Sequence, residues 1–137
     1  MTTTTTRSRR SELLSWVLRV AGAALLAAMG WLHLDLWFDG YRTIEVIGPA
    51  FLLNAIAGFA LAVLLLAVPR RLLWPVAVLG AVTALGTLVA LILSTTVGLF
   101  GFVESTAAPL WWETFWIEAA AVVVLTALAA VARRRPR

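Results

Sequence analysis

The chain has 137 residues, of which 62% are hydrophobic and only 13% charged, with a mean hydropathy of +0.96. An average soluble domain carries about 25% charged residues, so this chain lacks the polar surface that water demands and lipid must be its main solvent. It contains no cysteine, which excludes disulfides, thiolate metal sites, iron–sulfur clusters and cysteine nucleophiles.

A bilayer core takes roughly 20 apolar residues in helical form. Four such runs occur, at 13–38, 46–68, 72–93 and 110–131. They lack the period-2 alternation of barrel strands, and open strands would leave unpaired backbone groups in hydrocarbon. The expected fold is therefore all-α: an integral membrane four-helix up-down-up-down bundle over 13–132, framed by basic tails at 1–12 and 133–137. The threonine run at 2–6 is low-complexity, and 1–12 reads as a disordered tail. Ser8-Arg9-Arg10 ahead of an apolar run faintly matches a twin-arginine export signal, but the run is too long for a signal h-region and lacks a cleavage site.

Arg19 falls inside the first run, where a mid-bilayer arginine costs about 2.5–3.5 kcal/mol. Its long stem is expected to snorkel to one face, leaving 11–18 interfacial and 20–38 crossing. The second run holds thirteen Leu, Ile, Val or Phe residues, which favour insertion by about 4–8 kcal/mol; Asn54 alone does not reverse that. The short Pro69-Arg70-Arg71 turn makes the second and third helices antiparallel neighbours. After the third run, Gly98-Leu99-Phe100-Gly101-Phe102 reads either as more helix or as an interfacial turn, and as an aromatic lid on the bundle.

Ten of the eleven basic residues lie in the tails, at Arg19 or in the Arg70-Arg71 turn, and Arg42 alone lies in the other connections. The positive-inside rule then places both termini in the cytoplasm (N-in/C-in), and a bacterial cytoplasmic membrane is the expected location. The pI near 11.4 reflects this threading and not a nucleic-acid partner. Trp31, Trp37, Trp111, Trp112 and Trp116 form an expected outer belt, Trp16 and Trp74 an inner one. Small-residue spacings at Gly22 and Gly30, at Ala55, Gly58 and Ala62, at Gly80 and Ala84, and at Gly86 and Ala90 are candidate close-packing faces.

Ionisable groups within a span are costly, which makes them the default functional candidates. His33, Asn54 and Glu118 fall in one outer-leaflet layer, and if their faces converge they form a hydrogen-bonded set. Each also has a plainer use. His33 serves equally to bridge the outer loop, and Glu118 sits shallower if Trp116 marks headgroup depth. Asp35 and Glu45 fall in the same layer; of the outer-face acids Asp35, Asp39, Glu45, Glu104 and Glu113, the first two, four residues apart, are expected to meet water. One histidine is too few for bis-histidine haem, the acids lack the spacing of a calcium loop, and no catalytic triad or zinc motif is legible. No metal and no cofactor are expected.

Gly30-Trp31-Leu32-His33, Gly40-Tyr41-Arg42, Ile47-Gly48-Pro49, Phe51-Leu52-Leu53-Asn54 and Gly98-Leu99-Phe100-Gly101-Phe102 with Glu104 resemble uncharacterised small four-helix membrane proteins of high-GC Gram-positive bacteria. A looser similarity, at His33 and Pro49, is to the DoxX-like layout. That resemblance implies a quinone-linked or proton-coupled redox module, with quinone as its ligand; the lack of cysteine removes the thiol chemistry of that group. The leading expectation is a non-catalytic accessory or interaction subunit in the lipid bilayer, as a homo-oligomer or within a larger membrane complex. The redox module and a small oligomeric transporter are the alternatives.

Overall fold

A computed structural model describes residues 3–133, with side chains from Arg9 onward. It contains α1 (Thr3–Phe38), α2 (Ile47–Ala67), α3 (Arg70–Thr96) and α4 (Trp111–Arg133), with a single 3-10 turn at Tyr41–Thr43. All four helices are long and apolar enough to cross a membrane, so this is an all-helical, multi-span-capable chain. Helix α1 begins at Thr3, so the backbone is already helical through most of the stretch read from sequence as a disordered tail. The basic tail at 133–137 lies outside the described residues after Arg133.

The helices pack through alternating three- and four-residue steps. In α1 the buried positions include Ser15, Arg19, Gly22, Leu26, Met29, His33 and Leu36, with Ala23, Gly30 and Leu32 beside them; in α4 they include Trp111, Thr114, Glu118, Ala121, Leu125 and Leu128. Such a seven-residue seam keeps one narrow stripe facing the neighbouring helices. Leu26, Met29, Leu65, Leu125 and Leu128 fill the centre. The polar residues on these seams are consequently carried inward with the leucines, not outward to lipid.

Pairing runs in reverse residue order: Arg19 reaches Leu65 and Val68, whereas His33 lies against Phe51. Helices α1 and α2 cross at their glycines. A methyl group on Gly58 would stand 2.8 Å from the Leu26 carbonyl oxygen and 2.9 Å from Gly30 Cα. This is the close backbone approach that small residues permit in lipid, where apolar burial does not itself drive helices together. Gly86, by contrast, meets nothing within 4 Å, so the spacing of Gly86 and Ala90 is not a packing face within this chain.

Arg19 is only 7% exposed and donates to the carbonyls of Leu65, Leu66 and Val68 at the end of α2, at 2.9 Å for Leu66 and 2.5 Å for Val68. Helix C-termini leave carbonyls without intrahelical donors, and one guanidinium with several N–H groups satisfies a cluster of them. Its stem also carries the cation over the Trp16 ring, at 5.0 Å.

Candidate functional site

At the end of the bundle where α1 finishes and α4 starts, the seams of all four helices bring polar side chains around one cavity of about 130 Å³. His33 comes from α1, Asn54 from α2, Thr87 and Ser94 from α3, Thr114 and Glu118 from α4. The three residues expected to converge therefore line the same space. Glu118 lies seven residues into α4, about 10 Å below its first turn, and is 1% exposed.

His33 Nδ1 lies 2.9 Å from the Met29 carbonyl oxygen. A carbonyl only accepts, so Nδ1 carries the hydrogen and Nε2 is the nitrogen free to gain or lose one. Nε2 faces Glu118 Oε1 at 3.7 Å. If neither carried a proton, two lone pairs would oppose each other. A single proton on either member relieves this, as carboxylic acid beside imidazole or as carboxylate beside imidazolium. The arrangement can thus take up, hold and pass one proton.

Around this pair, hydrogen-bonding capacity is left over. Asn54 Nδ2, Thr114 Oγ1 and both carboxyl oxygens of Glu118 are buried without a hydrogen-bond partner. The Thr87 hydroxyl lies beside the Glu118 carboxyl and also has the Ala84 carbonyl as an acceptor, at 3.0 Å. Buried polar groups are normally satisfied, so a cluster of unsatisfied ones is an unusual feature of this end of the bundle.

The cavity is roofed by the segment at 97–110. Helix α3 stops at Thr96, and Leu99 and Phe102 exchange backbone hydrogen bonds of 2.7 and 2.9 Å. The glycine-punctuated stretch is therefore a turn and not more helix. Gly98 and Gly101 take positive φ angles of 84° and 79°, which glycine adopts without steric cost. Tyr41 donates its hydroxyl to Glu104 Oε2 at 2.5 Å and stacks on Phe51, whose ring packs against His33. Burial first, and then the Glu104 carboxylate, push the Tyr41 phenol above its ordinary range.

The remaining predicted residues are placed differently. Asp35, Asp39, Glu45 and Glu113 are exposed and lie outside the cavity, whereas Glu104 is half-buried in its roof. Trp111 does not join an outer belt: it is 8% exposed and donates Nε1–H to Thr95 Oγ1 at 3.0 Å. Trp31, Trp112 and Trp116 are exposed. Sequence reasoning missed Thr114, Thr87, Tyr41 and Phe51; Thr114 and Trp111 stand four and seven residues before Glu118, a spacing that marks the same seam. Among the described residues, no group of three or more His, Asp or Glu side chains is gathered to hold a metal ion.

Comparison with family models, with curated proteins and with solved structures finds no match for this chain. Its site must be interpreted from its own geometry.

Proposed function

We propose that the chain is a multi-pass protein of the bacterial cytoplasmic membrane, threaded up-down-up-down with both termini in the cytoplasm. In this reading it handles a proton for a small molecule held near the outer face. The observation that carries this is the approach of His33 to Glu118, across 3.7 Å, in a cavity that also receives Asn54. A bundle needs no such pair for its stability, since apolar residues of equal volume serve at least as well as buried ionisable ones. Ionisable groups facing an internal space within a span are characteristic of proton and substrate paths.

The threading is supported by the reversed pairing of α1 with α2 and by the collection of arginines at one end. The alternative is a non-catalytic accessory subunit, in a homo-oligomer or a larger complex; for the proton-handling reading, quinone belongs among the molecules to be tried as ligand.

Because His33 is the only histidine, its imidazole resonances in tag-free protein report this site alone. Glu118→Gln is expected to move the His33 titration midpoint, because it removes the ionisable group that faces Nε2 at 3.7 Å. An unchanged midpoint would remove the proton-handling reading. The cysteine-free chain also permits single-cysteine labelling. Thr106→Cys should react with an impermeant maleimide in intact cells and Arg71→Cys should not; the opposite pattern would invert the threading.

A further inference from the structure

Building on that reading, we infer that the cavity takes a membrane-dissolved molecule carrying a hydroxyl on a single ring, and that the molecule arrives sideways between α2 and α3. The first support is the seam itself. Helices α2 and α3 share the shortest connection, yet they pack against each other less than the other sequential pairs do. Both helices line the cavity, α2 with Ala50 and Asn54 and α3 with Thr87 and Ala90. Ala50 is exposed and Ala90 half-exposed, so small side chains flank the opening.

The roof supplies the second support. Tyr41 is bonded to Glu104, the Glu104 backbone N–H donates to the Ser94 carbonyl at 2.9 Å, and Trp111 is bonded to Thr95. A molecule arriving from water through this roof would have to break those bonds. One dissolved in the bilayer would not.

The third support is the chemistry of the unsatisfied atoms. Asn54 Nδ2 offers hydrogens with no acceptor, while the Glu118 oxygens lack a donor. A hydroxyl accepts and donates through one atom, so it can receive from Asn54 and give to Glu118; a carbonyl only accepts and an ammonium only donates. Phe51, Phe102 and Trp111 line the space beside these groups. The 130 Å³ volume is close to the ~150 Å³ apolar cavity that takes one benzene ring, and an alkyl tail would extend through the seam into lipid.

The test uses the full chain in lipid nanodiscs with 4-pentylphenol, its methyl ether 4-pentylanisole, 4-pentylbenzylammonium and the water-soluble 4-hydroxybenzenesulfonate. Binding and association rate are followed by ligand-observed NMR and stopped-flow tryptophan fluorescence. The phenol should bind about tenfold more tightly than the ether, and Asn54→Leu should weaken it about tenfold, as loss of a buried hydrogen bond does. Ala90→Trp, and separately Ala50→Leu from the opposite wall, should slow association at least tenfold while circular dichroism stays as in the parent. Equal binding of phenol and ether, preference for the ammonium, or association unaffected by both plugs would overturn the inference. If no phenol binds but Glu118→Gln still moves the His33 titration, this inference fails and the proton-handling reading stands. An unmoved His33 titration removes that reading itself.

Discussion

Replacing Gly58 by Ala tests the packing that brings the site together. The added methyl would lie 2.8 Å from Leu26 O and 2.9 Å from both Gly30 Cα and Gly30 N. Ordinary contact begins near 3.4 Å, so α1 and α2 must separate by about 0.6 Å at their crossing. The obstructing atoms are backbone and have no rotamer into which to retreat. Overpacking of this kind costs about 1–3 kcal/mol, here at the upper end, while alanine returns up to about 1 kcal/mol of helix propensity. The expected net loss is ~2 kcal/mol, close to a thirtyfold change in the folding equilibrium. Gly86→Ala, with nothing within 4 Å, is the matched control and should be neutral or stabilising by at most ~1 kcal/mol. Reversible unfolding in mixed micelles, followed by circular dichroism, measures both. His33 stands three residues after Gly30 and Asn54 four before Gly58, so the same substitution should also shift the His33 resonances. A Gly58→Ala variant as stable as the parent, or a Gly86→Ala variant equally damaged, would refute the crossing described here.

Arg19→Met should destabilise by ~2–3 kcal/mol in the same assay, since charge-assisted hydrogen bonds contribute about 1.5–3 kcal/mol and the α2 carbonyls lose their donor; a neutral result would show that they need no cap. The Tyr41 phenol is held above its ordinary value of 10.0 in the folded chain. Its contribution is therefore complete below pH 10 and declines as pH rises beyond that. Unfolding measured from pH 8 to 11 should show this loss in the parent and not in Tyr41→Phe. Val46 sits at φ 66° at the centre of a three-residue turn closed by Ile47 N–H on Glu45 O, at 2.7 Å. A β-branched residue is strained there, so Val46→Gly should raise stability by about 1 kcal/mol, and a loss of that size would show that the turn is not strained.

Hydrophobic run length determines the helices in this chain, because every backbone group in lipid must be satisfied within its own segment. That is why the runs at 46–68 and 110–131 differ from α2 and α4 by only one or two residues at each end. That His33, Asn54 and Glu118 lie at one level of the bundle was legible for a similar reason: rise per residue converts position along a helix into height. Their convergence was less legible, since lipid-facing and core-facing sides are nearly equally apolar and the rotation of each helix leaves little trace in composition. The alternating three- and four-residue spacing that joins Glu118 to Thr114 and Trp111 is present in the sequence, but so are competing stripes of alanine and leucine.

Only the packed helices decide which stripe turns inward, through contacts such as Gly58 against Gly30 that depend on shape and not on hydropathy. The same holds for Arg19: its charge dictates that it must find partners near a membrane face, whereas its wrapping of the α2 terminus depends on where that terminus comes to rest. Glu104 and Tyr41 are sixty-three residues apart and meet because the roof folds back over the bundle. In this protein, local sequence determines which segments are long and apolar enough to cross a membrane and at what height along each helix a group lies. Tertiary packing decides which groups meet, because in hydrocarbon only close fit and hydrogen bonding distinguish one face of an apolar helix from another.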